Sequence, residues 1–331
     1  MLISLDDAVA RLQRGDIVAL PTETVYGLAG IALYSKTVHK IYSLKGRPSY
    51  NPLIVHVSSI EHAEELAEFN DLARKVCDAF WPGALTIVLP KKQCVPGEIT
   101  AGGNTVALRS PAHPLFREVL NMVRKPLAAP SANPSNRTSP TEAAHVLELF
   151  GENAPPVLDG GPCRLGMEST VLDLSVYQPR ILRYGPVKPK EIEEILARKL
   201  ELPNGYEPGD KTMQKSPGTG TTHYAPKTPL LLCENINDLK ALKPSDADWL
   251  IFPQKTDLPQ KMKGFIDRVF FLSANGKAEE IAQNLYKVLI EVDKKGASRL
   301  IALLPNQKND QLYLAIRDRM NRAGMPPNMR Q

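Results

Sequence analysis

A chain of 331 residues, 43% hydrophobic and 23% charged, is too long for one ordinary core and too apolar to be disordered, so two packed domains are expected. The formal charge of +5, from 41 basic and 36 acidic residues, falls short of the bias of a dedicated duplex-binding domain, though it suits a surface that handles phosphates and meets RNA briefly. No run approaches the about 18 apolar residues of a membrane span, and the four cysteines (Cys77, Cys94, Cys163, Cys233) form no C-x-x-C pair, which argues against zinc or thioredoxin-like chemistry.

The chain opens Met1-Leu2-Ile3-Ser4-Leu5-Asp6-Asp7, acidic and without an apolar centre, so no secretory leader is expected and the cytoplasm follows by elimination. Leu5, Ala8, Val9 and Leu12 repeat at helical spacing, with Ser4 as cap and Gly15 as stop. Residues 16–21 read as a buried strand ending at Pro21. A helix over 36–44 precedes a strand over 53–57. Helices over 60–69 and 72–80 lead into a strand over 84–89. Further strands are predicted at 105–109, 127–129, 157–159, 170–174 and 180–184, with helices over 115–123, 141–150 and 189–200. The alternation predicts an α/β domain with a mixed, twisted sheet and flanking helices.

Residues 203–229 then carry Pro203, Gly205, Pro208, Gly209, Pro217, Gly218, Gly220, Pro226 and Pro229 with hardly an aliphatic side chain, the composition of a linker. Strands at 230–233, 249–252, 269–272 and 300–304, with helices over 278–294 and 311–322, make a second, small doubly wound domain of about 100 residues.

The common nucleotide motifs are absent: there is neither a G-x-x-x-x-G-K-[ST] loop nor a strand-anchored G-x-G-x-x-G. H-E-x-x-H and the G-x-S-x-G elbow are missing too. Polar and basic residues gather instead where strands run into turns: Thr22–Tyr26, Lys45 with Arg47 and Asn51, Arg109-Ser110, Ser131 to Asn133, and Glu168-Ser169. In an open α/β sheet ligands bind in a crevice beyond the strand ends. Each group also has an ordinary structural reading. Lys45 and Arg47 can complement a helix dipole, Ser131 and Asn133 can form turns, and His56 can be a satisfied core histidine. Arg109, closing an apolar strand, seeks an anionic partner.

Taken in order, Pro-Thr-Glu-Thr-Val-Tyr-Gly-Leu at 21–28, Lys45-x-Arg47 with Asn51-Pro52-Leu53-Ile54-Val55-His56, Trp81-Pro82-Gly83-x-Leu85-Thr86, Thr105–Arg109, Ala129-Pro130-Ser131-Ala132-Asn133, Asp159-Gly160-Gly161, Glu168-Ser169-Thr170 and Arg183-x-Gly185-x-Val187 resemble the signature of the YrdC-type threonylcarbamoyl-AMP synthases. The similarity covers residues 5–200 nearly continuously. Ser216-Pro217-Gly218 and His223-Tyr224-Ala225-Pro226 resemble the linker of the longer, two-domain form, while residues 228–331 match only in their α/β layout.

The resemblance implies a YrdC-like domain at 1–202, a linker with an active-site loop at 203–229, and a small Rossmann-like α/β domain at 230–331. It implies a nucleotidyltransferase that joins L-threonine, bicarbonate or CO2 and ATP, with Mg²⁺ carried by ATP rather than by a protein metal site. Threonylcarbamoyl-transfer proteins that modify tRNA would lie downstream, and weak contact with tRNA is compatible with the mild basic excess. Carried over by position, Lys45 and Arg47 are the catalytic cations. ATP would be held by Lys45, Arg47, Asn51, Thr105, Ser131, Asn133, Ser139 and Arg183, with His223 and Tyr224 at its pyrophosphate end. Threonine would be held by Thr24, His56, Arg109, the backbone of Ala129, and Ser169. Two other readings stand beside this one: a double-stranded RNA or tRNA-binding module without synthase activity, and a carbamoyl-transfer domain of the hydrogenase-maturation type.

Overall fold

The computed structural model describes residues 1–203, 223–306 and 310–324, the side chains of 261–263 excepted. Most of the predicted linker therefore lies outside the described residues. The chain divides into two compact units, Met1–Ser135 with Ser139–Gly220, and Asn136–Thr138 with Thr221–Gln331.

In the first unit, Ser4 caps helix α1 (Leu5–Gln13): its Oγ accepts a hydrogen bond from the Asp7 N–H, and Ala8, Val9 and Leu12 form the buried stripe. The strands are β1 (Leu2–Ile3), β2 (Val18–Leu20), β3 (Gly27–Ile31), β4 (Ile54–His56), β5 (Leu85–Pro90), β6 (Thr105–Arg109), β7 (Leu127–Ala128), β8 (Val157–Leu158), β9 (Thr170–Asp173) and β10 (Arg180–Arg183). They form one mixed sheet in the order β1-β8-β2-β3-β7-β4-β6-β5-β9-β10. Helices α2 (Ser35–Lys45), α3 (Ile60–Glu64), α4 (Asp71–Phe80), α5 (Pro114–Val123), α6 (Ala143–Phe150) and α7 (Pro189–Leu196) connect them.

Several elements depart from the sequence expectation. Gly27–Ile31, given no element in the sequence reading, is a full strand paired to β2 and β7. Its glycines are there for clearance, since a Cβ on Gly30 would come within 2.4 Å of Thr37 Cγ2 on α2. The helix expected to reach Phe69 stops at Glu64 because the chain then pairs with the end of β5, through an Ala67–Lys91 bridge and Glu68 N–H donating to Pro90 O. The helix expected to reach Leu200 stops at Leu196; Ala197 turns left-handed, and Glu201 comes back to accept from the Ile181 N–H.

Strand alternation sorts the sheet into two faces. Val55, Leu85, Ile87, Leu89, Val106, Leu108 and Leu172 enter the large core. Ile54, Val88, Ala107, Val171 and Leu182 form a separate small apolar floor on the opposite face. Over β2, β3 and β7 that second face is covered by α1 and α5, with Phe116 and Ala129 among the packed residues.

The second unit is a four-stranded, all-parallel sheet, β11 (Leu230–Cys233), β12 (Asp248–Gln254), β13 (Val269–Ser273) and β14 (Arg299–Leu303), in the order β11-β14-β12-β13. Helices α8 (Ile236–Ala241), α9 (Ala278–Lys294) and α10 (Gln311–Ala323) flank it, as parallel pairing demands of the crossovers. Helix α8, unforeseen in the sequence, is fixed by Asn235, whose Oδ1 accepts from the N–H groups of Asn237 and Asp238.

Candidate active site

Most of the residues singled out in the sequence stand on the second face of the first sheet or on the loops around it. His56 is two residues from the floor residue Ile54, Thr105 and Arg109 flank Ala107 at the same spacing, and Thr86 and Ser169 precede Val88 and Val171 by two. The site is thus a sheet face bordered by loops rather than a crevice beyond the strand ends alone. Thr105 and Arg109 are about 13 Å apart along β6 at about 3.3 Å per residue, so the face has two ends.

At the Thr105 end, the chain enters the parallel strand β4 from Pro52 and leaves the antiparallel strand β7 toward Ser131. Lys45, the last residue of α2, is buried, and its Nζ donates to the carbonyls of Ser131 and Asn133, both at 2.6 Å. Burial, and the charge of Arg47 beside it, pull the Lys45 pKa well below its usual value. Arg47 donates to Asn51 O, Asn51 Oδ1 and Pro52 O. Two buried cations, with these donors turned to carbonyl and amide oxygens, concentrate positive potential where an anion would be stabilised.

At the Arg109 end, Arg109 Nη2 meets Glu23 Oε1 at 2.6 Å, Nη1 donates to Thr24 Oγ1 at 2.9 Å, and Nε to Gly83 O at 3.1 Å. Both charged side chains of the pair are 5% exposed. Burial alone would raise the Glu23 carboxyl; the charge and hydrogen bond of Arg109 outweigh it and hold the pKa below the usual value. The Glu23 Oε2 accepts from the Ala112 N–H, and Thr24 is held by Thr22. His56, paired in register with Arg109, packs its ring 5.1 Å from Phe116; its Nδ1 is buried and meets no hydrogen-bond partner among the described residues. Burial, helped by Arg109, drives its pKa down to about 3, so the ring is neutral at physiological pH.

Ser169 joins this end through Thr86, whose hydroxyl lies 2.7 Å from its own. Arg183 donates from Nε to Ser169 O and from Nη2 to Ser169 Oγ. Ser139 donates to Glu168 Oε1 at 2.6 Å. Arg183 therefore stands against Ser169, and Ser139 against the neighbouring Glu168. Gly185 allows this closeness: a Cβ there would lie 2.3 Å from Thr170 N and 2.6 Å from Ser169 C. Ala129 sits between the two ends, its N–H on Ile54 O. His223 and Tyr224 belong to the second unit, where both are buried. Glu23, Glu168 and Thr86 were quoted within sequence motifs but given no role there. An acid adjoining Thr24 in the same motif was the available signal for Glu23.

Comparison with known proteins agrees with both units. Residues 10–185 match the Sua5–YciO–YrdC family model, described as telomere recombination, and residues 187–324 match the model for the C-terminal domain of threonylcarbamoyl-AMP synthase. The threonylcarbamoyl-AMP synthase of Pyrococcus abyssi is 40% identical over 324 residues, covering 96% of this chain and 92% of that protein. The synthase of Schizosaccharomyces pombe is 32% identical over 97% of this chain and 87% of its own length. A crystal structure of Pyrococcus abyssi Sua5 complexed with L-threonine superposes with a TM-score of 0.86 at 36% identity, over 96% of this chain and 93% of that one.

The class is set by a Sua5–YciO–YrdC sheet domain followed by the synthase type of C-terminal α/β module. The chain belongs to the threonylcarbamoyl-AMP synthase family in its two-domain form, and is a nucleotidyltransferase-type enzyme of tRNA threonylcarbamoyladenosine modification with ATP as substrate. These matches favour the synthase over a binding module without activity, and the matched C-terminal domain is not that of a hydrogenase-maturation protein.

Proposed function

We propose that L-threonine and ATP lie along the second sheet face, the triphosphate toward Lys45 and Arg47 and the amino acid toward Arg109, His56, Thr24 and Ser169. The observation that carries this reading is the separation of the face into a cation-rich end and an end built on a buried arginine and a neutral histidine. The threonine amine, having lost its proton, adds to CO2 drawn from bicarbonate and becomes a carbamate. A carbamate oxygen then attacks the α-phosphorus of ATP; the bond from that phosphorus to the β-phosphate oxygen breaks and pyrophosphate leaves. The nucleophile is already an anion, so no serine or cysteine nucleophile is required. The protein's task is to hold two anions together and spread the charge of the leaving group. Lys45 and Arg47 suit the second task, with Asn51, Thr105, Ser131 and Asn133 beside them, and Mg²⁺ enters as part of the MgATP substrate.

Arg109 offers its remaining N–H groups to the threonine carboxylate, and neutral His56 can accept or donate a hydrogen bond without adding charge. Arg183 and Ser139, next to Ser169, fit the adenylate side of the junction where the two substrates meet. His223 and Tyr224 complete the ATP set, within a domain plan of 1–202 catalytic, 203–229 linker and 230–331 C-terminal. The product passes to threonylcarbamoyl-transfer proteins acting on tRNA, with weak tRNA contact at the basic surface, in the cytoplasm where tRNA is modified. Mass spectrometry of a quenched reaction with [13C]bicarbonate tests the chemistry. The expected product is threonylcarbamoyl-AMP heavier by one mass unit than from unlabelled bicarbonate. Accumulation of unlabelled threonyl-AMP would overturn it.

A further inference from the structure

Tyr224 holds an unusual backbone conformation. Its φ is +65°, in the left-handed region that a bulky side chain seldom enters, and its side chain is 1% exposed. Such a conformation persists only where the surroundings over-determine it. They do so from four sides within the second unit. The Tyr286 ring on α9 stacks on Tyr224 with centroids 5.5 Å apart and planes at 25°. The Arg319 guanidinium on α10 lies 5.4 Å from the ring centre. The His223 ring meets the Tyr224 ring edge-on at 4.0 Å. The Tyr224 carbonyl accepts from Thr138 Oγ1 at 3.1 Å, and the next N–H, that of Ala225, donates to Asn136 O at 2.9 Å.

Arg319 is fully buried, an expensive position for a guanidinium unless its neighbours use the charge. Here they do. Its Nη1 donates to Asp318 Oδ2 at 2.8 Å, Asp318 Oδ1 accepts from Arg322 Nε at 2.9 Å, and Arg322 O accepts from the His223 N–H at 3.1 Å. The chain of contacts starts at the Tyr224 ring and returns to the backbone beside it. A methionine of similar bulk would fill the same helix face without closing that circuit.

We propose that Arg319 and Tyr286 are positioning residues that hold His223 and Tyr224, together with the run Asn136–Thr138, in the geometry required for ATP. The inference rests on the reading that Tyr224 serves ATP. Asn136–Thr138 carries the effect further, because it is the stretch of chain between Asn133 and Ser139, both assigned to the nucleotide. Releasing Tyr224 therefore loosens nucleotide contacts on either side of that run. The threonine set, Thr24, His56 and Arg109, is held by its own contacts and does not depend on this anchor. This gives the C-terminal domain a role in the reaction.

A double-mutant cycle on the full-length protein tests it. Arg319→Met, Tyr224→Leu and the double variant are compared by calorimetric titration with ATP and, separately, with L-threonine. Arg319→Met is expected to weaken ATP binding at least tenfold, with threonine affinity unchanged within twofold. In the Tyr224→Leu background Arg319→Met should cost less than a further twofold, since the ring it holds is gone. Arg319→Lys, which keeps the charge but not the planar fork, should fall between. Equal losses from Arg319→Met in both backgrounds, or unchanged ATP affinity in folded Arg319→Met, would overturn the inference. If Tyr224→Leu alone leaves ATP affinity unchanged, the assignment of Tyr224 fails and takes the inference with it. Should Arg319→Met not fold, Tyr286→Leu enters the same cycle with the same expectations.

Discussion

Replacing Arg109 by alanine removes the partner of a buried carboxylate. Glu23 would keep its Oε2 bond to the Ala112 N–H but lose the 2.6 Å contact to Nη2, while Thr24 Oγ1 and Gly83 O lose a donor each. Breaking a buried ion pair by deleting one member costs about 3–5 kcal/mol, because the other charge is left unpaired. For a unit of this size that corresponds to a fall in melting temperature of about 6–20 °C. The sign of the pH dependence follows from Glu23. In the native protein its pKa is held below the ordinary carboxyl value of 4.5, so its pairing stabilises above that pH and is lost as the pH falls through the lower folded value. In the variant, burial without Arg109 raises the carboxyl instead, and the deficit should shrink on acidification as Glu23 takes up a proton. Thermal melts of both proteins at pH 7 and pH 5 read this directly, with Arg109→Ala/Glu23→Gln expected to recover part of the loss at pH 7. Threonine affinity should fall by roughly 2 kcal/mol with ATP affinity little changed. A variant melting within 2 °C of the parent at pH 7, or a deficit that grows on acidification, would refute the reasoning.

Other expectations follow from the same geometry. His56, with a folded pKa near 3 against 6.5 for a free imidazole, binds its proton in the unfolded state first, so stability is lost as the pH falls below 6.5; at pH 5 the loss is about 2 kcal/mol, and denaturant titrations should show His56→Gln losing that much less between pH 7 and pH 5. Because burial holds the Lys45 pKa well below its usual value, a triphosphate beside it should raise that pKa and draw in a proton. ATP titrations in buffers of different ionisation enthalpy should show uptake at alkaline pH that disappears in Lys45→Met, and buffer-independent heats would contradict it. Gly185→Ala should cost about 1–3 kcal/mol of stability through backbone overlap at Ser169 and Thr170, and a melt unchanged from the parent would show that the turn has slack.

Much of this architecture was readable because buried strands announce themselves as apolar runs. Residues 85–89 and 230–233 are examples. Gly27–Ile31 was hidden by the property that makes it work: glycine and alanine leave room for α2 and give no β-propensity signal. The premature ends of two helices were equally hidden, since tertiary pairing at Ala67 and Glu201 overrides a helical pattern that local spacing supports. For the site, order along the chain nominated the candidate residues but not their partners. Arg109 was expected to look for an anion, and Glu23, 86 residues away, supplies one within the protein itself. The grouping of Arg183 and Ser139 with Ser169 depends on the β9–β10 pairing and on the turn at Gly185, neither of which sequence spacing specifies. The left-handed Tyr224 is a product of packing within the second unit, invisible in a segment whose composition reads as linker.

The central claim is that one site condenses three substrates at the α-phosphate of ATP. Pyrophosphate release by the full-length protein, followed in four parallel reactions that contain all substrates or omit threonine, bicarbonate or ATP in turn, tests it most directly. The account predicts pyrophosphate in the complete reaction alone, equimolar with threonylcarbamoyl-AMP. Release that persists without threonine or without bicarbonate, or turnover to ADP and phosphate, would contradict it.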